Sequence, residues 1–292
     1  LNTTGTYNAA IGAYALKANT TASYNTASSY GALQFNTTGT NNTASGYQAL
    51  YSNTTGQENT ATGYKALFTN TTGAHNTAMG RNALLFNTTG NHNTAFGYEA
   101  ATQNTTASNN TGLGNRALHY NTTGVENTAI GHQSLYTNTT GNYSTACGLN
   151  SLHLQTTGGR NAAVGNEAMY SSTTATECAV VGQKALRNNT TGSYHTVIGC
   201  NAVQNNTTGQ SNTATGYYAL YGNTTGSYNV ASGYYALNTN TTGTKNSAYG
   251  YQALYYNSTA SGCTAVGWEA LKANTSSNNT GLGYSAGSTI TS

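Results

Sequence analysis

His75 and His92 stand seventeen residues apart, and with six acids and four cysteines they are the chain's candidates for proton transfer or metal binding. A general acid–base pair needs two titratable groups converging on one substrate atom. Glu58, Glu99, Glu126, Glu167, Glu177 and Glu269 are too scattered for that; only Glu167 and Glu177 fall in neighbouring repeats, and at different phases. Among Cys147, Cys178, Cys200 and Cys263, only Cys178 and Cys263 share a phase, five repeats apart. That is far beyond the ~7 Å reach of a disulfide. A stacked register would bring His75 and His92 within ~5 Å, a spacing at which imidazoles can share a metal. Their phase also holds Tyr, Glu, Lys and Arg, which marks a slot facing water. The chain reads as a non-enzyme, with no cofactor and no metal site.

What sets those phases is one seventeen-residue sentence, N-T-T-G-x-x-N-T-A-x-G-x-x-A-L-x-x. It begins at Asn2, Asn19, Asn36, Asn53, Asn70, Asn87, Asn104, Asn121 and Asn138. It continues from Gln155, Ser172, Asn189, Asn206, Asn223, Asn240, Asn257 and Asn274. The phase never slips until the copy starting at Asn274, which is one residue short. Residues 1–292 therefore read as a single repeat array, a segment of a longer chain, in which each copy contacts its neighbours. Charged residues are 5% of the chain and the formal net charge is +3, so no basic patch for nucleic acid is expected. No apolar run approaches the ~18 residues of a membrane span. The recurrent Ala-Leu pair supplies a repeated small core that disordered tracts lack.

Numbering each copy from its first residue, position 11 is Gly except at Ser29, position 14 is Ala or Ser, and position 15 is mostly Leu. Position 10 takes apolar residues such as Ile11, Met79, Phe96, Leu113, Ile130, Val164 and Ile198, or Ser and Thr, and never a charge. Every Lys, Arg and Glu falls at position 6, 12, 13 or 16. Charge confined to four phases marks the exposed ones, and the barred phases, position 10 included, read as buried. Leu135 and Leu220 are expected inside, Lys65 and Glu99 outside.

Seventeen residues are too few for a two-helix repeat, and Gly, Asn and Thr serve a helix poorly. A β-coil fits. Two short strands over positions 7–11 and 12–16 would pack small residues inward, with Gly at the bend and N-T-T-G as the turn. The expectation is an all-β fold: a parallel β-solenoid of about seventeen coils at ~4.7–4.9 Å spacing, about 80 Å in length. Such a thin apolar core needs support from Asn ladders and from association of chains, three about one axis.

Two surface features suggest binding or modification. Tyr217, Tyr234 and Tyr251 share position 12 in adjacent coils and form the best candidate row for a sugar or receptor, against the plainer reading of a Tyr ladder. Fifteen copies carry N-x-S/T at position 1, making Asn2, Asn19, Asn36, Asn53, Asn70, Asn87, Asn104, Asn121, Asn138, Asn189, Asn206, Asn223, Asn240, Asn257 and Asn274 candidate N-glycosylation acceptors. The alternative is an Asn ladder in which the sequon is incidental. Thr at positions 2 and 3 could offer a hydroxyl array to ice, although neighbouring residues tend to point to opposite sides.

The run N-T-A-x-G-x-x-A-L resembles the head repeats of trimeric autotransporter adhesins, most closely at Asn127-Thr128-Ala129-Ile130-Gly131 and Asn161-Ala162-Ala163-Val164-Gly165. It is as similar to the N-T-T-G arrays of tail-fibre-like proteins. The resemblance covers the whole chain and implies a left-handed parallel β-roll, three chains in one trimer, and an exposed adhesive surface. The period is longer than that family's, and its neck, stalk and anchor are missing.

The expected function is a structural fibre or shaft, extracellular or on a cell or virion surface, serving as spacer and adhesion scaffold. Its expected partners are other copies of itself, as a trimer or filament, and a carbohydrate or cell-surface receptor. The alternatives are a self-assembling, glycan-coated filament subunit and an ice-binding solenoid.

Overall fold

The computed structural model describes residues 2–289. Every regular element among them is a strand, three residues long, set at positions 8–10 of a repeat. The chain divides into two compact units, Leu1–Ser144 and Thr145–Ser292. The first carries β1 (Ala9–Ile11), β2 (Thr26–Ser28), β3 (Thr43–Ser45), β4 (Thr60–Thr62), β5 (Thr77–Met79), β6 (Thr94–Phe96), β7 (Thr111–Leu113) and β8 (Thr128–Ile130). The second carries β9 (Thr145–Cys147), β10 (Ala162–Val164), β11 (Ala179–Val181), β12 (Thr196–Ile198), β13 (Thr213–Thr215), β14 (Val230–Ser232), β15 (Ser247–Tyr249), β16 (Thr264–Val266) and β17 (Thr280–Leu282). Among the described residues no helix is long and apolar enough to cross a membrane.

Within each unit, successive strands pair in parallel with a register shift of one repeat, as in Thr43↔Thr60 and Ala179↔Thr196. Each unit is thus a parallel β-solenoid. The short last copy keeps the column, since Thr264 pairs with Thr280 and the missing residue is taken up in the turn before β17. Outside the strands the coils still bond to one another, for example Leu50 N–H to the Ala66 carbonyl at 3.0 Å and Thr54 N–H to the Thr71 carbonyl at 2.9 Å. Stacking of this kind satisfies backbone groups that a short turn would otherwise leave unpaired.

The second strand expected over positions 12–16 does not form; that segment is a chain of turns. The cause is backbone handedness. Positions 13 and 15 adopt left-handed φ, with Lys65 at 54° and Leu67 at 52°, and position 6 does likewise at His75, 58°. Non-glycine residues pay about 1–2 kcal/mol for such a conformation, so the surrounding stack must hold them in it. Glycine at position 11 has a sharper reason. Gly63 has φ 128°, and a Cβ there would lie 2.6 Å from the Gly80 carbonyl oxygen of the next coil.

The core is a set of columns. Position 9 alanines such as Ala44, Ala61 and Ala78, position 14 alanines such as Ala49 and Ala66, and the position 15 leucines, Leu135 and Leu220 among them, are wholly buried. Position 10 is not. A three-residue strand with its middle side chain inward must turn the flanking two outward, and Phe96 is 53% exposed, Val181 46% and Ile198 48%. The absence of charge at position 10 predicts burial inside the coil, and the pleat instead turns that column outward. Lys65 and Glu99 are half-buried rather than free, the Glu99 side chain being 17% exposed beside Arg116.

Candidate functional site

Inside each coil run two amide ladders. At position 1, Asn53 Nδ2 donates to Asn36 Oδ1 of the coil before it at 2.8 Å and to the Gly56 carbonyl of its own turn at 2.9 Å. Asn70, Asn87, Asn206 and Asn223 repeat the same pair of bonds. At position 7, Asn59 Nδ2 donates to the Gly73 carbonyl at 2.9 Å while its Oδ1 accepts the Asn76 backbone N–H at 3.0 Å. The position 7 ladder is a signal that periodicity alone could have found, since Asn25, Asn42, Asn59 and Asn76 repeat there in adjacent copies.

This geometry bears directly on the candidate acceptors. Asn19, Asn36, Asn53, Asn70, Asn87, Asn104, Asn121, Asn138, Asn189, Asn206, Asn223, Asn240, Asn257 and Asn274 are all buried. Where both bonds are made, the Nδ2 group has spent its two hydrogens, and a sugar on it would occupy the place of the preceding coil's amide and of its own turn. Only Asn2, in the first coil, is exposed. The structure corrects the premise that the position 1 amides are reachable; the ladder explains them. The N-x-T pattern also occurs outside position 1, and at Asn41, Asn109 and Asn278 the asparagine is exposed.

The threonine pair divides as alternation suggests. Position 2 hydroxyls are spent on the next coil, as in Thr37 Oγ1 to the Thr54 carbonyl at 3.0 Å, while position 3 residues such as Thr38, Thr55 and Thr72 are exposed. The two-column hydroxyl array considered for ice is therefore one column wide.

Four members of the position 7 column, Ser144, Cys178, His195 and Cys263, depart from Asn, and two of them have strongly perturbed chemistry. His195 is buried; its Nδ1 accepts the Asn212 backbone N–H at 3.2 Å and Asn206 Nδ2 lies 3.4 Å from Nε2. Burial drives its pKa down to about 4, so the ring is neutral and stands in for an amide. Cys178 is buried one coil earlier, and burial pushes its thiol up to about 11, which makes it inert as a nucleophile.

On the outside, aromatic side chains of equal phase stack. Tyr217 and Tyr234 have ring centroids 5.3 Å apart, and Tyr234 and Tyr251 are 5.4 Å apart. Trp268 continues the row 4.0 Å from Tyr251. Tyr218 and Tyr235 form a second stack beside it, at 5.3 Å. In the first unit Tyr30, Tyr47 and Tyr64 stack at 5.4 Å, and Arg81 lies between Tyr64 and Tyr98. The structure thus brings the three predicted tyrosines together, but both faces of Tyr234 and of Tyr251 are covered by ring neighbours. A sugar stacks on an open ring face, and these rings turn their edges and hydroxyls outward. The Tyr217 phenol is raised from its ordinary pKa, first by desolvation and then by Tyr218.

His75 and His92 also stack, with centroids 4.7 Å apart, and His75 Nδ1 lies 3.2 Å from Glu58 Oε2. Among the described residues no group of three His, Cys, Asp or Glu side chains could hold a metal ion. Glu167 and Glu177, the two acids in neighbouring repeats, are engaged by different arginines, Arg187 at 2.6 Å and Arg160 at 3.6 Å. No protein-family model, curated protein or solved structure matches this chain.

Proposed function

We propose that this chain is a structural fibre protein, extracellular or virion-borne, acting as a spacer and adhesion scaffold. The observation that carries the reading is the pair of internal amide ladders. Most coils supply the donors and acceptors that the next coil needs, so length grows by repetition without a new fold at each step. Polar side chains that elsewhere would bind a ligand are spent on holding coil to coil. The outer phases, by contrast, vary from copy to copy at positions 6, 12, 13 and 16. Such a surface suits many weak contacts better than one specific site. Tyrosine edges and hydroxyls along position 12 would offer hydrogen bonds to a carbohydrate or receptor.

A glycan-coated filament is disfavoured by the inward position of the repeated amides. Antibody raised to the repeat should label an external appendage on intact cells or particles. Labelling confined to the interior of permeabilised cells would sink the proposal.

A further inference from the structure

The chain has four arginines, and three of them meet a carboxylate. Arg116 holds Glu99 at 2.9 Å, Arg187 holds Glu167 at 2.6 Å and Arg160 meets Glu177 at 3.6 Å. Among the described residues Arg81 has no acid partner. Its guanidinium is held all the same, 5.7 Å from the Tyr64 ring centroid and 5.6 Å from that of Tyr98. Lys65 brings a second cation to the same ring. Its Nζ lies 5.4 Å from the Tyr64 centroid and 5.1 Å from that of Phe68, again with no carboxylate. The acids closest in the chain are already engaged, Glu99 by Arg116 and Glu58 by His75.

Stacking explains why a flat side chain occupies this slot, and Trp268 fills the same phase of the second unit without charge. It does not explain two uncompensated cations around one ring. Like charges brought together repel, and a bound anion relieves that. A guanidinium presents its N–H donors as a planar fork that matches the two oxygens of a carboxylate. Rings on either side fix the plane of Arg81, while the side chain stays exposed. A fork ordered beforehand loses less entropy on binding.

The column around Arg81 decides what kind of molecule carries the anion. Tyr30, Tyr47 and Tyr64 precede it at one phenol per coil, with centroids 5.4 Å apart. Phenols both donate and accept hydrogen bonds, as sugar hydroxyls do. The faces of Tyr47 and Tyr64 are covered, so nucleobases find no platform there. Neutral Tyr47, Tyr64 and Tyr98 also cannot answer a phosphate on every nucleotide. A hydroxyl-rich polymer with spaced carboxylates fits the row.

We propose that Arg81 and Lys65 bind the carboxylate of an acidic polysaccharide laid along this phenol column of the first unit. The proposal rests on the reading of the outer surface as a carbohydrate contact, and it names the sugar class and the place.

Binding of the full chain to polygalacturonate, dextran sulfate, uncharged dextran and polyglutamate tests it, at low salt where exposed charges are least screened. Polygalacturonate should bind. Arg81→Tyr, which continues the ring column, should weaken that binding about tenfold with unchanged circular dichroism. Arg81→Lys should recover only part of the loss, because a point charge lacks the fork. Lys245→Gln, which removes an exposed cation from the second unit, should leave the affinity unaltered. Equal weakening by Lys245→Gln would reduce the effect to net charge and overturn the site. Tighter, Arg81-dependent binding of dextran sulfate would overturn the carboxylate, and of polyglutamate the polysaccharide. Undiminished polygalacturonate affinity in Arg81→Tyr would overturn the anion site and leave the carbohydrate surface standing. Absence of binding to all three polysaccharides would overturn both.

Discussion

The position 1 ladder is intact through Asn36, Asn53, Asn70, Asn87 and Asn104 in the first unit, with amide-to-amide bonds of 2.7–2.8 Å. In the second unit it meets Gln155 and Ser172. Gln155 Oε1 is recruited sideways by Asn161 Nδ2 at 3.0 Å, and Ser172 Oγ is buried with no hydrogen-bond partner. The same stretch replaces Asn at position 7 with Cys178 and then His195. Yet β10, β11 and β12 pair in the ordinary register. The backbone stack tolerates an imperfect side-chain ladder. What the ladder adds is stability, and the two stretches should differ in it.

The largest effect should come from breaking the intact stretch. Asn70→Ala removes its bonds to Asn53 Oδ1 and to the Gly73 carbonyl, and the acceptor for Asn87 Nδ2. Leaving buried polar groups unpaired costs about 1–3 kcal/mol each, so roughly 3–4 kcal/mol is expected here. Native-state hydrogen exchange of that coil measures it. A loss below about 1 kcal/mol would reduce the ladder to filling.

Acid should find the irregular stretch first. The unfolded chain protonates His195 below about 6.5, the folded chain only below about 4. Between those values the unfolded state holds the extra proton, so stability falls as pH drops from 6.5 and levels off below 4. The full swing is about 3 kcal/mol at 1.36 kcal/mol per pH unit. Protection of the amides around Asn212, corrected for intrinsic exchange, should fall over that window in the wild type and stay level in His195→Asn. Equal pH dependence in the two proteins would refute the assignment.

Repair should be smaller. Ser172→Asn restores a ladder member and should stabilise by about 1 kcal/mol, read as a higher denaturant midpoint at constant slope. Destabilisation would show that the coil has closed around the shorter side chain. Smallest of all is the outer surface. Glu58→Gln loses an exposed pair with His75 and should change stability by less than about 0.5 kcal/mol.

Much of this was legible beforehand because a strict period leaves little freedom. Ala at positions 9 and 14 and Leu at 15 announced the inner columns, and the stacked His75–His92 and Tyr217–Tyr234–Tyr251 rows follow from equal phase in adjacent coils. Asn36 and its equivalents were ambiguous. A sequon and a ladder have the same letters, and only burial separates them. Trp268 shares the tyrosine phase and could have been added to the row from its position alone.

By itself, then, the sequence determined the period, the parallel β class and the columns that can be small and apolar in every copy. Those are properties of spacing, and spacing is written in the chain. Which way the columns flanking the core point, position 10 above all, was decided only by the folded path. Left-handed turns at positions 6, 13 and 15 shorten the strand to three residues, and its pleat then sends position 9 inward and positions 8 and 10 outward. Phe96 and Ala95 differ by one step along the chain, and by the full distance from water to core.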